Sequence, residues 1–175
     1  MQVIKARRSI RAFRDDGVPS CVLSELIEAG IWAPSGSNIQ PWYFIIVQDK
    51  GVLEQVKAFS PGLLGNPPVV IIVCTDRQLA FEKGGELGRD ELCLMDICMA
   101  SQNIMLMATE KGLGTCAIRS FNKSAVARII GLPTHVSPDL IISVGYPKGT
   151  AVAPKRKAVS KVAYFDRWRG HSETR

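Results

Sequence analysis

Val69-Val70-Ile71-Ile72-Val73-Cys74-Thr75 is the stretch on which the fold turns, because its apolar run is unbroken by any alternation with polar side chains. A strand with one wet face alternates, so this run predicts a strand covered on both faces by other layers. Upstream, Trp42-Tyr43-Phe44-Ile45-Ile46-Val47 is a second β-rich run, and residues 113–118 and 140–144 read as further strands. Between the strands the period lengthens. Leu23, Leu26, Ile27 and Ile31 share one face of a helix over 19–32, behind the start signals Pro19 and Ser20. Residues 50–58 and 124–130 read as shorter helices, the second stopped by Gly131 and Pro133. This mixed order of helices and strands predicts an α+β fold in three layers.

Residues 92–110 are long enough for a helix and apolar nearly all round, and Lys111-Gly112 closes them with a C-cap signature. Such a helix must be covered on several sides. Asp96, Ser101, Gln102 and Asn103 interrupt it, which makes a buried helix the better reading than a membrane span. The polar, glycine-rich stretch 77–91 is expected to be a mobile connection, a candidate lid. The 175 residues give room for one domain over 1–175, and 46% hydrophobic against 22% charged residues excludes a disordered chain. Charges interrupt the N-terminal apolar residues before any cleavage-type site, so a cytoplasmic location is expected. Five cysteines without a C-x-x-C pair, and only His135 and His171 as histidines, argue against a disulfide framework and against zinc.

The formal net charge of +6 is unevenly spread: residues 1–14 carry +5, residues 151–175 another +5, and the middle −4. If the two ends meet, their cations surround one compact polyanion, whereas a nucleic-acid binder more often carries a long stripe. Aromatic residues do not interleave with the cations, which leaves a nucleic-acid-binding module as the weaker alternative. A phosphate-bearing small molecule is the sharper expectation.

Arg7-Arg8-Ser9-Ile10-Arg11 sets three guanidinium groups and a hydroxyl within five residues, a donor density suited to phosphate. By spacing alone it reads more often as a solvated basic terminus. Pro34-Ser35-Gly36-Ser37-Asn38-Ile39-Gln40-Pro41-Trp42 offers short hydroxyl and amide side chains in a backbone-rich loop, or else an ordinary turn. Taken together, RRSIRAF at 7–13, APSGSNIQPW at 33–42, PPVVIIVC at 67–74, DICMASQNIMLMATEKGLGTC at 96–116 and KRKAVSKVAYFDRW at 155–168 closely resemble the nitroreductase family of FMN-dependent oxidoreductases.

That resemblance implies a three-layer α/β/α fold with a central mixed, mostly antiparallel sheet, in an intertwined homodimer whose C-terminal tail, about 151–175, embraces the partner. It implies FMN at the dimer interface. Arg7 and Ser9 would hold the phosphate and ribityl end with help from Arg8, and Arg156, with Lys155 or Lys157, would supply the C-terminal phosphate-binding cation. Arg11 would stand near the N1/O2 edge, where a fixed cation favours developing negative charge. Pro34, Ser35, Gly36 and Asn38 of the partner would line the ring, and Ala117, Ile118 and Arg119 would lie near it. NADH or NADPH would be the donor, and nitroaromatics, quinones or flavins the acceptors, in a ping-pong scheme. A reductive dehalogenase or a flavin-fragmenting enzyme is the alternative within the family. Cys93 and Cys98, five apart on one helix, are expected to be small buried hydrophobes, and Met95, Met99, Met105 and Met107 core or interface filler. His135, in a loop beside Pro133, is expected to be structural or exposed.

Overall fold

The computed structural model describes residues 1–168. In chain order the elements are α1 (Gln2–Ala6), α2 (Ser20–Ile31), β1 (Trp42–Val47), α3 (Lys50–Ala58), β2 (Val69–Asp76), α4 (Arg77–Leu87), α5 (Cys93–Glu110), β3 (Gly114–Ile118), α6 (Lys123–Ile129) and β4 (Val136–Gly145).

As its unbroken apolar run requires, β2 is buried at every position. It lies inside a four-stranded sheet of order β1-β2-β4-β3, where Ile72 is flanked by Ile45 of β1 and Ile141 of β4. The period of two then sorts its side chains into two cores. Val69, Ile71 and Val73 pack with Leu23 and Leu26 of α2 and with Ile97, Ala100, Ile104 and Ala108 of α5. Val70, Ile72 and Cys74 pack with Val56 of α3 and Val126 of α6. The result is helix, sheet, helix. Among the described residues all three strand pairings are antiparallel, and the expected mixed character reduces to one parallel bridge between Ser9 and Thr115.

Several expectations need correction. Residues 77–91 are not a mobile connection: they form α4 and a single π turn (Gly88–Leu92) leading into α5. Asp76 caps α4 by accepting the Leu79 N–H at 2.8 Å, a start signal outweighed in the sequence by the glycines at 84, 85 and 88. Gly88 is required by packing, since a Cβ there would lie 2.4 Å from the Ala80 carbonyl oxygen. The last strand starts at Val136, not 140. It accommodates Pro138, which lacks an N–H, by an irregularity of register opposite Val73 and Cys74. Helix α5 buries one broad face, running through Ile97, Ala100, Ile104 and Ala108, rather than its whole circumference. Cys98 falls off that face and is exposed, against expectation, whereas Cys93 is buried. Met105 is buried, but Met95 and Met99 are 55% and 38% exposed.

The two basic ends come together around one small contact. A Cβ on Gly114 would lie 2.6 Å from Ile10 Cγ1, so the bare glycine is what lets the N-terminal segment lie against β3. Ile10 N–H then donates to the Thr115 carbonyl at 2.8 Å. Further on, Arg14 N–H donates to the Tyr146 carbonyl and Lys148 N–H to the Ala12 carbonyl, tying the segment to the chain leaving β4. From Ala151 to Trp168 the tail is exposed except at Tyr164, and its last seven positions, 169–175, with His171, lie outside the described residues.

The two faces of α5 predict different outcomes for neighbouring substitutions. Ala100→Glu puts a carboxylate at a site with no exposure and should cost several kcal/mol, lowering Tm steeply or preventing folding. Met99→Glu should leave each subunit folded, with circular dichroism close to wild type. A Met99→Glu chain that is unfolded by circular dichroism, as Ala100→Glu is expected to be, would mean that the faces are misassigned.

Candidate functional site

An open pocket of about 300 Å³ is lined by Arg7, Arg8, Ser9 and Arg11 from the N-terminal segment and by Ala151, Val152, Pro154 and Arg156 from the tail. Among the described residues its lining collects four guanidinium groups and a hydroxyl and no carboxylate. Lys155 and Lys157 are exposed and lie outside that lining. Arg8 is anchored by donating from Nη1 to the carbonyls of Lys5 and Arg7, at 2.6 and 2.7 Å. Its Nε is buried with no partner among the described residues, and so is Oγ1 of Thr115, the residue bridged to Ser9. Guanidinium forks, the Ser9 hydroxyl and the unpaired Nε of Arg8 are a donor set that fits the phosphate end of FMN.

Beside the pocket runs the free edge of β3. Ile10 bonds to the outward carbonyl of Thr115, so by strand alternation Ala117 also turns its backbone groups away from β4. Ala117 and Arg119 are exposed along this line. Ile118 is 4% exposed and packs with Val126 and Ile141, so its side chain belongs to the core and does not face the edge.

The loop between α2 and β1 is held in an unusual conformation. Ser37, Asn38 and Gln40 all have left-handed φ, at 48°, 55° and 55°, which persists only where the surroundings dictate it. Asp96 Oδ1 accepts the Gly36 N–H at 3.1 Å, Ser35 Oγ accepts the Gln40 N–H at 3.0 Å, and Ile39 and Trp42 are buried as anchors. Pro34, Ser37, Asn38 and Gln40 stay exposed. None of Pro34, Ser35, Gly36 or Asn38 lines the arginine pocket of the same chain. In the sequence Asp96 reads as an interruption of an apolar helix. Its signal was a lone carboxylate beside Ile97 and Ala100 on the buried face. Burial pushes its carboxyl above the usual range, opposed by the Gly36 N–H.

A second polar centre lies where β2, β3 and β4 end. Asp139, 1% exposed, accepts from Thr75 Oγ1, from Lys123 Nζ and, at 2.9 Å, from Arg77 Nη2. Arg77 also donates to the Arg89 carbonyl at 2.6 Å and to Cys93 Sγ at 3.3 Å. Arg119 stands 3.9 Å from Asp139 Oδ1. Burial pushes the Asp139 carboxyl up, but hydrogen bonds from Lys123 and Thr75 and the charges of Arg77 and Lys123 outweigh it and hold the group below its ordinary value. Burial, with Asp139 nearby, pushes the Cys74 thiol up to about 12, and burial likewise raises Cys93, so neither supplies a thiolate. His135 is exposed. This centre escaped the sequence reading because its members are spread from 75 to 139 and meet only in the sheet.

The chain as a whole is similar to several known proteins. The model of the Nitroreductase family matches residues 4–60 and 51–146. A Methanothermobacter thermautotrophicus protein, provisionally named NADH dehydrogenase/NAD(P)H nitroreductase, is 33% identical over 84% of this chain and 76% of its own. A Bacillus subtilis FMN reductase (NADPH) is 28% identical over 94% of this chain and 72% of its own. Among solved structures, an FMN-dependent nitroreductase of Clostridium difficile superposes with a TM-score of 0.81 at 26% identity, over 95% of this chain and 98% of its own.

Two measurements probe these centres. Arg7→Ala should weaken FMN binding, followed by flavin fluorescence, by about tenfold or more, since a charged hydrogen bond contributes roughly 1.5–3 kcal/mol. Arg14→Ala should not, because Arg14 pairs with Asp16 at 3.1 Å and lies over the Tyr146 ring; equal losses would mean the pocket is misassigned. For Asp139, a pKa depressed on folding gives stability that is complete above the unfolded value of about 3.9 and is lost as pH falls through the lower folded one. Asp139→Asn should therefore lower Tm at neutral pH, and the gap from wild type should close below about pH 4. A gap independent of pH would contradict the ionic role.

Proposed function

Because this chain belongs to the nitroreductase family, we propose that it is an FMN-dependent NAD(P)H oxidoreductase that reduces flat acceptors such as nitroaromatics, quinones or flavins in a ping-pong cycle. The observation that carries this reading is the pocket in which Arg7, Arg8, Ser9 and Arg11 meet Arg156 beside the free edge of β3. When bound, FMN supplies the redox centre that accepts and passes on hydride.

The residues divide the remaining work. Arg7, Ser9 and Arg156 hold the phosphate, and Arg8, locked by its bonds to Lys5 and Arg7, adds the buried Nε. Arg156 takes this role ahead of Lys155 and Lys157 because it is the one of the three that lines the pocket. Arg11, exposed in the same pocket, provides the fixed cation for the edge where negative charge develops. The outward backbone of Ala117 offers hydrogen bonds along the ring edge, and Arg119 continues that line.

Pro34, Ser35, Gly36 and Asn38 complete the site from the second subunit of a homodimer. Their separation from the arginine pocket within one chain supports this, as do the exposed Ile31 and Trp32 at the end of α2 and Met95 and Met99 on α5. The tail embraces the partner, a reading supported by Val152, Val159, Phe165 and Trp168, all more than half exposed. The single domain works in the cytoplasm; α5 packs against the sheet through Ile97 and Ile104, as a core helix does.

Purified protein should be yellow or take up added FMN. Ligand at about 100 times its Kd should add about 2.7 kcal/mol of stability and favour the dimer on dilution. Met99→Glu should lose dimer and flavin together. A chain that takes up no FMN overturns the reading, and a monomer retaining stoichiometric FMN overturns the shared site.

A further inference from the structure

We propose that Arg119 is the anion-recognising residue of the acceptor and nucleotide site: it selects flat ligands that carry a carboxylate or phosphate. The inference rests on the flavin reading above and deepens it. Around Asp139 stand three cations, Arg77, Lys123 and Arg119, and the two carboxylate oxygens are already engaged by Thr75, Lys123 and Arg77. Of the nearby carboxylates, Asp76 is turned to capping α4 and Asp90 is matched by its own partner, Arg89. Positive charge is therefore in surplus even with Asp76 counted. Arg77 and Lys123 absorb the partner, whereas Arg119 is held at 3.9 Å, beyond hydrogen-bond length, with its side chain 55% exposed. The charge of Asp139 steers the guanidinium without consuming its donors, leaving a planar fork that matches a carboxylate or a phosphate edge.

Its place in the fold says what that fork faces. Thr115 is bridged to Ser9 in the arginine pocket, and Arg119 follows four residues later, immediately past the end of β3, about 13 Å along at strand rise. Between them the exposed residue is Ala117, whose methyl group leaves the edge clear. One end of this edge thus carries the phosphate donors and the other a free guanidinium. A flat ligand lying along the middle presents any anionic substituent to Arg119.

The test uses FMN-loaded protein and two unreactive probes of the same shape, benzoate and benzyl alcohol, titrated against the flavin absorption spectrum. Arg119→Gln should weaken benzoate about tenfold and leave benzyl alcohol affinity unchanged, and Arg119→Lys should recover part of the loss. Kinetic arms identify the source of the anion. If it belongs to the acceptor, the KM ratio of 4-nitrobenzoate to 4-nitrobenzyl alcohol rises in Arg119→Gln; if it belongs to the nucleotide, the KM ratio of NADPH to NADH rises instead. Parallel shifts of both probes, or no shift in either, overturn the assignment while the flavin reading stands. Wild-type protein that binds no FMN overturns both.

Discussion

One steric constraint organises the molecule: at position 114 there is no side chain, and Ile10 occupies the room. Through that contact the N-terminal segment lies on β3, Ile10 bonds to Thr115, and three arginines that are otherwise a charged terminus become one wall of a pocket. The other wall, Arg156, arrives because the chain leaving β4 is tied to the same segment at Ala12 and Arg14. Four guanidinium groups at such proximity repel one another. The folded protein tolerates them because they border an open pocket and because the rigid sheet beneath fixes where they stand.

That rigidity comes from β2. Its buried run gives the sheet a core on each face, so the sheet edges and strand ends are the places left for chemistry. Both polar centres lie there, and they differ in kind. At Asp139 a buried carboxylate is overcompensated by cations, a structural ion cluster with one cation to spare. At the arginine pocket cations gather with no carboxylate in the lining among the described residues, a composition suited to an anionic ligand.

Much of this was legible in the sequence. Strands at 42–47 and 69–75 and helices at 19–32 and 50–58 were readable because local pattern and tertiary burial agree there. The unequal charge distribution announced the arginine pocket, although only the fold could select Arg156 over its lysine neighbours. Failures came where local signals conflicted with packing. Glycines at 84, 85 and 88 suggested mobility, while the Asp76 cap and the close approach of Gly88 to Ala80 make a helix and a tight turn. Pro138 hid four residues of β4 because a proline argues against a strand, and the register irregularity that admits it is invisible without the partner strand. Asp96 and Asp139 were overlooked as a class: a buried carboxylate is defined by its partners, and these lie 60 and 64 residues away at Gly36 and Thr75.

The arginine segment stands where it does because Ile10 packs onto the bare Cα of Gly114. Gly114→Ala removes no charge and no hydrogen-bonding group, yet it should weaken FMN binding at least tenfold by displacing the arginine segment. The double variant Ile10→Ala with Gly114→Ala, in which the shortened side chain makes room, should recover much of the affinity. The decisive measurement is therefore an FMN titration of these two variants, alongside circular dichroism to verify folding. Undiminished affinity in folded Gly114→Ala would mean that the Ile10–Gly114 contact does not position the arginines.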